Sequence, residues 1–307
     1  MRIAGVLTTL VLMGAVALVA APTASGKVRH YWVAAESTTW NMLPNQRDGI
    51  TGTQYDPFTT VRPTTVYRRY TRNWRRPLRN IPASSSNQDL IPGPLIRARV
   101  GDRILVHFKN LDPVNPHSMH FHGVEYKPSS DGAFIPGFSG RDGNVRPGQT
   151  WTYRLTAGRG SAGVWPYHDH SPAMHASIEG GMYGMLSILG RRERRPDREF
   201  VTVFAPMGTF QTIDGRAFVG NTPVFKARAG QLVQWDVMVM GSEHHTFHVH
   251  GHRWRTDGVP RDTVTLGPAE SFRIRWRERH PGTWLYHCHV EDHMAAGMIG
   301  IYQVTGR

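Results

Sequence analysis

The histidines of this chain are grouped rather than dispersed. The sequence holds 17 histidines, and ten of them lie in four short clusters: His120 with His122; His168 with His170; His245 with His248 and His250; and His287 with His289 and His293. Imidazole is the commonest protein ligand for transition metals. One such pair often has an ordinary structural role, but four clusters in one chain predict several metal ions held close together.

The only cysteine, Cys288, stands between two of these histidines in the run His287-Cys288-His289. Alternate residues of a strand point to opposite faces of the sheet. The two imidazoles should therefore face one metal site and the thiolate another. Two sites joined by only a few covalent bonds are what an electron relay requires. A lone cysteine also excludes an internal disulfide.

Cys288 needs partners to form a metal site of its own, and His245, His293 and Met298 can supply them if the second half of the chain folds as one unit. Two histidines, one cysteine and a weak axial methionine are the donor set of a blue-copper electron-transfer site. The sequence therefore predicts such a site around Cys288.

An internal repeat arranges these clusters. Residues 163–170 (GVWPYHDH) and 282–289 (GTWLYHCH) are identical at five of eight positions. Upstream, HSMHFHG at 117–123 parallels HTFHVHG at 245–251, and downstream GMYG at 181–184 parallels GMIG at 297–300. Repeats of this kind indicate copies of one structural unit. The predicted units are residues 26–190 and 199–307, joined by the charged linker Arg191–Arg198.

The elements that must position the ligands are predicted to be strands. Five segments alternate apolar and polar residues between Gly, Pro, Asn and Asp: Leu95–Val100, Arg103–Phe108, Thr150–Leu155, Leu232–Met238 and Ser271–Trp276. No segment has a long helical period. The predicted fold class is all-β, with a Greek-key β-sandwich used twice. Residues 27–90, rich in Arg, Pro and Ser, are predicted to be an irregular lead-in with one or two strands.

The first 25 residues are typical of a secretory signal peptide, because an apolar run from Ile3 to Ala21 ends in small residues. A membrane anchor is the alternative, but the run is at the short end for a bilayer span. We therefore expect a secreted protein, extracellular or in the cell envelope, without membrane contact after cleavage.

The formal net charge is +13, which raises the question of a nucleic-acid partner. The arginines are dense only at 68–79 and 191–198, and no nucleic-acid motif accompanies them. A solvated basic surface without a nucleic-acid partner is therefore the prediction.

The spacing H-C-H-x3-H-x4-M, at His287, Cys288, His289, His293 and Met298, resembles the pattern of cupredoxins and multicopper oxidases. Together with the repeat, it makes roughly residues 90–307 similar to the two-domain bacterial laccases, the small laccases of the multicopper oxidase family. The resemblance implies two cupredoxin-like domains, with the type 1 copper in the second. It also implies four copper ions per chain and no other cofactor.

The resemblance further implies a role for each ligand. His120 and His248 would hold the type 2 copper, and the type 3 pair would be held by His122, His168, His170, His250, His287 and His289. In that family the cluster of three coppers lies between the first domain of one subunit and the second domain of its neighbour. A homotrimer with clusters at the subunit interfaces is therefore implied.

Tyr126 and Asp131 also resemble family residues that lie beside the cluster. Asp131 would assist proton delivery to reduced oxygen, and Tyr126 would be an auxiliary electron donor. A loop carboxylate and a packed ring are the structural alternatives for the two side chains.

The implied activity is that of a laccase. A phenol or aromatic amine would dock near His293 or His245 and give up one electron, which would pass through Cys288 and His287 or His289 to the cluster, where dioxygen is reduced to water. A Cu(I) or Fe(II) oxidase and a copper nitrite reductase are alternatives, but the nitrite reductases carry the blue site in the first domain and lack the H-C-H run. A copper-binding electron-transfer protein without catalysis is a further alternative, but in such a protein eight paired histidines would have no role.

One departure from the repeat is informative. The first unit keeps His117, His175 and Met182 at positions taken to parallel the type 1 ligands, but has Asp169 in place of Cys288. A vestigial and empty site is expected, with an occupied colourless copper site as the alternative. Among the other histidines, His252 is a candidate for orienting a ligand, whereas no partner is predicted for His30, His107, His244 and His280.

Overall fold

The computed structural model describes residues 26–81, 90–256 and 258–306, so the expected signal segment lies outside the described residues. Within those ranges the α-helices are short: Pro57–Thr60 (α1), Met174–Glu179 (α2) and Glu291–Ala295 (α3). This agrees with the lack of helical periodicity in the sequence. None of the described helices has the length and apolar character needed to cross a bilayer.

The first unit consists of two sheets. One has the strand order β3-β2-β1-β5-β8-β7 and is formed by Pro77–Leu78 (β3), Val61–Tyr70 (β2), Val28–Asn41 (β1), Arg103–Asn110 (β5), Thr150–Thr156 (β8) and Glu125–Tyr126 (β7). The other has the order β4-β10-β9-β6 and is formed by Ile96–Arg99 (β4), Tyr183–Leu189 (β10), Gly163–His168 (β9) and His120–Phe121 (β6). Fully buried rings, among them Tyr67, Phe108 and Tyr153, fill the core of the unit.

The second unit repeats this plan with its own two sheets. One has the order β12-β11-β14-β19, formed by Phe210–Ile213 (β12), Arg198–Met207 (β11), Leu232–Val239 (β14) and Ser271–Arg277 (β19). The other has the order β13-β21-β20-β15-β18, formed by Val224–Arg228 (β13), Ile299–Thr305 (β21), Gly282–Cys288 (β20), His245–Val249 (β15) and Thr263–Leu266 (β18). Trp254–Thr256 (β16) and Val259–Arg261 (β17) form a separate hairpin.

The all-β prediction is confirmed, and the five predicted strands correspond to β4, β5, β8, β14 and β19 with ends that differ by no more than two residues. The prediction for residues 27–90 is correct in expecting strands there but wrong in describing the segment as irregular. β1 pairs with β2 over ten residues and runs parallel to β5 in the interior of the six-stranded sheet. Its parallel partner is distant in the sequence, so local composition could not reveal the pairing.

The repeat is reproduced in the pairing of the strands that carry the histidines. β6 pairs with β9 so that His120 lies opposite His168, and β15 pairs with β20 so that His248 lies opposite His287. Side chains directly opposite each other on antiparallel strands are close neighbours. The register of these strands therefore brings the histidine clusters together within each unit.

A glycine closes each upstream histidine motif, and its lack of a side chain is required. Gly123 and Gly251 both have φ of 69°, a conformation that favours glycine. A Cβ at Gly123 would lie 1.9 Å from Trp165, and one at Gly251 would lie 2.6 Å from Trp284. The two tryptophans belong to the repeated G-x-W motif, so each histidine motif is packed against the strand that carries its partner ligands.

The two units are joined by polar contacts near the start of β9. Arg273 of β19 donates to the backbone carbonyls of Gly163 at 2.8 Å and Ile188 at 2.9 Å, and forms an ion pair with the buried Asp236 at 3.3 Å. Because His168 lies at the other end of β9, these contacts fix the direction of a strand that carries candidate ligands.

Candidate metal centres

Cys288 lies in a buried cluster with two histidines of the second unit. Its Sγ is 3.7 Å from Nδ1 of His245 and 3.8 Å from Nδ1 of His293, and the two nitrogens are 3.0 Å apart. A single ion bonded to each atom at about 2.0–2.3 Å can span these separations. Met298 is buried, and its backbone carbonyl accepts from the Cys288 amide at 3.1 Å. The donor set therefore fits a blue-copper centre.

Elements of the second unit hold these ligands in place. Cys288 ends β20, His245 begins β15, and His293 lies on α3, which follows β20 directly. The Thr246 amide points at the Cys288 sulfur at 3.4 Å. Burial, with the nearby His293, lowers the pKa of His245 to about 3. His245 is therefore a neutral donor over the physiological pH range.

A second cluster lies in the first unit. Nε2 of His122 and Nε2 of His168 are 3.2 Å apart, and donor atoms of His120 fall within the same small group. The ring of His170 lies 5.4 Å from that of His120 and 5.8 Å from that of His168. All four histidines predicted as ligands in the first unit are thus brought together.

A matching cluster lies in the second unit. Nε2 of His250 and Nε2 of His287 are 3.1 Å apart, and His248 shares their group of donor atoms. The His289 ring lies 5.5 Å from that of His248 and 5.4 Å from that of His287. His287 and His289 thus face this cluster while Cys288 faces the other one, as strand alternation predicts.

Backbone carbonyls fix the tautomers of four of these rings. Nδ1 of His120 and of His248 donates to the carbonyl oxygens of Asp131 and Asp262, each at 2.7 Å. Nδ1 of His168 and of His287 donates to the carbonyl oxygen of the next residue in the chain, at 2.9 and 2.8 Å. With the proton on Nδ1, each Nε2 presents a lone pair to its cluster.

Burial also keeps several rings neutral. It is the main reason that the pKa values of His122, His168 and His287 fall to about 4, with neighbouring histidines lowering them further. With their protons on Nδ1, His168 and His287 direct Nε2 lone pairs towards the Nε2 atoms of His122 and His250, where a cation can bind. The paired Nε2 atoms of both clusters therefore fit copper ions, for which neutral imidazole is a suitable ligand.

The two histidine clusters remain separate within the chain. In the described residues no group of donor atoms combines histidines of the first unit with those of the second. A groove of about 700 Å³ opens beside His120 and His122, and its far wall is formed by Val264 and Phe272 rather than by the second cluster. The two clusters are therefore distinct in the part of the chain that the structure describes, and each is called a half-site below.

Asp131 and Tyr126 lie beside the first half-site. The Asp131 carboxylate is 3.5 Å from Nδ1 of His120, and the Tyr126 ring is 6.2 Å from the His120 ring. Burial, followed by the charge of Asp131 and a hydrogen bond to it, raises the pKa of Tyr126. The structure thus places both side chains next to a candidate ligand.

The expected parallel between His175 and His293 is wrong. His175 lies on α2 with 78% of its side chain exposed and pairs with Glu179. The loop after His170 is longer than that after His289, which displaces the helical residues relative to the second unit. Met182 remains buried, and His117 lies between Asp169 and Asp112 instead of facing a thiolate.

His252 has a partner that the sequence did not reveal. Its Nδ1 donates to the carbonyl of the ligand candidate His250 at 2.7 Å, and its Nε2 lies 3.1 Å from the buried carboxylate of Glu278. Glu278 also accepts from Tyr302 and Trp276. Glu278 belongs to no sequence motif. It directly follows β19, and only the folded structure brings it next to His252.

The remaining histidines lie away from the half-sites. His30 and His107 hydrogen bond to each other at 3.0 Å on the outer side of the six-stranded sheet. The ring of His280 packs against that of His252. His244 is exposed.

Both halves of the chain match models of the same protein family. Two family models, each described as multicopper oxidase, match residues 78–193 and 193–306. Together they cover most of the described residues and both half-sites.

Curated relatives are longer proteins. Ferroxidase HEPHL1 of Homo sapiens is 29% identical over 98% of this chain, and a probable nitrite reductase-hydroxylamine oxidoreductase fusion protein of Kuenenia stuttgartiensis is 30% identical over 70% of it. The chain spans only 31% and 27% of their lengths. Among solved structures, a crystal structure of a multicopper oxidase superposes with a TM-score of 0.70 at 23% identity, over 91% of this chain and 89% of that one. That likeness supports the fold.

The Glu278 cluster gives a testable pH dependence. Burial opposes ionisation of Glu278, but hydrogen bonds from His252, Tyr302 and others outweigh it and lower the pKa from 4.5 to about 2. Its contribution to stability is therefore present above pH 4.5 and lost as the pH falls towards 2. In urea unfolding of the metal-free protein, Glu278→Gln should be less stable than wild type at pH 7, and the difference should shrink at pH 3. The exposed Glu291→Gln is the control; a difference for Glu278→Gln that does not change with pH would contradict this account.

Proposed function

The chain belongs to the multicopper oxidase family, and from this we propose that it is a laccase-type oxidase. It would take electrons one at a time from phenols or aromatic amines and use them to reduce dioxygen to water. The position of Cys288 carries the proposal: its sulfur lies with His245 and His293, while the adjacent His287 lies in the second half-site. A peptide unit of one strand thus joins the two ligand sets.

The residues divide into sets that would hold the metal. Cys288, His245, His293 and Met298 would hold the type 1 copper, His120 and His248 the type 2 copper, and the other six histidines the type 3 pair. Bound copper would supply one-electron redox chemistry at the first set and the binding and reduction of dioxygen at the others. With four ions per chain, this assignment uses every paired histidine.

The protein supplies access and rigidity. His245 is fully buried, whereas the side chain of His293 is 15% exposed. An aromatic substrate would therefore approach the type 1 set along the edge of the His293 ring. The buried walls formed by Phe204 and Phe247 keep water from the opposite side.

Asp131 is suited to moving protons. Its side chain is 35% exposed, lies beside His120 and hydrogen bonds with Tyr126. The carboxylate can therefore exchange protons with solvent and present them at the first half-site, where oxygen reduction consumes them. Tyr126 would serve as an auxiliary electron donor at the same place.

The separation of the half-sites supports a homotrimer. A head-to-tail contact that repeats around a ring would bring the first half-site of each subunit to the second half-site of the next. All subunits would then make the same contacts. In this proposal the three-copper clusters lie between subunits. The protein would act outside the cytoplasm after removal of residues 1–25, on small molecules and without a nucleic-acid or membrane partner.

A metal-ion oxidase is the second candidate, and one contact favours it. The Glu243 carboxylate lies 3.6 Å from Nε2 of His293 and is 47% exposed, and the exposed Glu291 and Asp292 precede His293 in the chain. An acidic group at the outer edge of the type 1 set could bind Fe(II) or Cu(I). One curated relative is named a ferroxidase.

Replacement of Cys288 tests the main proposal. In copper-loaded Cys288→Ser we expect loss of the blue absorption and of oxygen uptake with a phenol, because the hydroxyl cannot replace the thiolate ligand. The exposed His175→Gln is the matched control and should keep both. Blue colour or oxygen uptake in Cys288→Ser would refute the assignment.

Glu243→Gln separates the two substrate classes. If the protein is a laccase, kcat/KM for a neutral phenol should change less than about twofold, and Fe(II) should be a poor substrate before and after the change. If metal ions are the substrates, KM for Fe(II) should rise about tenfold or more, because a cation loses its anionic contact. Oxygen uptake with each substrate provides the measurement.

Mixing of two inactive variants tests the shared cluster. His168→Ala removes a ligand from the first half-site and His248→Ala one from the second, so each protein alone should be inactive. Metal-free subunits mixed in equal amounts and then loaded with copper should regain about one quarter of wild-type activity if each cluster lies between two subunits. No recovery in trimers shown to contain both variants would refute the sharing.

A further inference from the structure

The first unit contains the backbone frame of the Cys288 centre without its thiolate. The amide of Cys288 donates to the carbonyl of Met298 at 3.1 Å, and the amide of Asp169 donates to that of Met182 at the same distance. The amide of His289 donates to the Thr246 hydroxyl at 3.0 Å, and that of His170 donates to the Ser118 hydroxyl at 3.1 Å. The backbone contacts at Asp169 and at Cys288 are therefore equivalent, although the side chains differ.

In this frame Asp169 is saturated with hydrogen bonds. One carboxylate oxygen accepts from the Ser118 amide at 2.8 Å, and the other accepts from the Ser171 hydroxyl at 2.8 Å and lies 3.1 Å from Nδ1 of His117. Asp169 has no exposed surface. The carboxylate thus occupies the position that the sulfur of Cys288 has in the second unit, but its acceptor capacity is already used.

The opposite nitrogen of His117 is also occupied. Its Nε2 lies 3.2 Å from Asp112, which in turn accepts from the Thr65 hydroxyl of β2 at 2.7 Å and from the Val114 and Asn115 amides. The repeat places Met240 at the corresponding position in the second unit. Asp112 is therefore specific to the first unit.

We infer that the buried chain Asp112–His117–Asp169, here called the carboxylate chain, replaces a metal in the first unit and positions the copper ligands of its half-site. Both nitrogens of His117 have carboxylate partners, and the second histidine that a metal would need, His175, is exposed. The inference rests on the proposed function, since it assigns copper to the half-site.

The geometry explains how the carboxylate chain acts at a distance. Asp169 lies between His168 and His170, and its partner Ser118 is two residues before His120. A single side chain thus ties the end of β9 to the start of β6, the two segments that carry the four ligands. At its other end the carboxylate chain is anchored to β2 of the opposite sheet, because Asp112 accepts from the hydroxyl of Thr65.

Asparagine substitutions test this positioning role. Asp169→Asn and Asp112→Asn keep the size of the side chain but exchange an acceptor for a donor that faces His117. Asp214→Asn is the matched control, since Asp214 is a buried acid of the second unit that accepts from the Val203 amide at 2.7 Å. Each metal-free protein is melted and then titrated with Cu(II) against a competing chelator.

Two absorption bands report the two classes of site. The blue band follows the Cys288 centre, and the near-ultraviolet band of a coupled copper pair follows the half-sites. In the Asp169 and Asp112 variants we expect the apparent copper affinity of the half-sites to fall about tenfold while that of the blue centre is unchanged. Asp214→Asn should lower the melting temperature without shifting either titration.

The outcomes separate the inference from the proposed function. Unchanged near-ultraviolet titrations in both variants, equal shifts of both bands, or a fifth copper per wild-type chain would overturn the inference alone. A wild-type protein with neither band would remove the proposed function and this inference with it. If Asp169→Asn and Asp112→Asn do not fold, Thr65→Val, which removes only the outer anchor, provides the same comparison with a smaller expected shift.

Discussion

The alternation of side chains along one strand is the constraint on which the site depends. At the end of β20 it directs Cys288 towards His245 and His293, and His287 towards His248 and His250. A shift of register by one residue would exchange the two sets and leave a thiolate among the imidazoles. The register of β20 is held on both sides, by β15 and by β21. The surrounding sheet therefore fixes which ligand enters which centre.

Duplication of this plan has produced two units with the same backbone frame and different chemistry. Each unit has one histidine pair at a short strand and a second pair at the end of the strand that pairs with it. Each also has a glycine whose missing side chain leaves room for a tryptophan. The difference is concentrated in the position of Asp169 and Cys288. A carboxylate there is compatible with hydrogen bonds that tie strands together, and a thiolate is compatible with a soft metal ion.

The sequence revealed the parts of the site that depend on local spacing. The repeat, the strand period and the H-C-H run were sufficient to predict the fold class and to group each histidine with its neighbours. Contacts that depend on tertiary packing could not be predicted from the sequence. Glu278 reaches His252 from a distant strand end, the Asp262 carbonyl orients His248 from a loop, and Asp112 meets His117 through a side chain with no motif. The exposure of His175 was missed because the loop after His170 has a different length, which breaks the parallel by a few residues.

The carbonyl partners of two ligand rings also bear on the release of protons when a metal ion binds. Metal binding to a histidine usually competes with a proton, so that protons enter the solution as the site fills. His168 and His287 already carry their proton on the nitrogen turned away from the cluster, and their pKa values of about 4 leave Nε2 unprotonated at neutral pH. Neither ring therefore has a proton to lose when an ion arrives at Nε2, and binding to these two ligands should depend little on pH near neutrality.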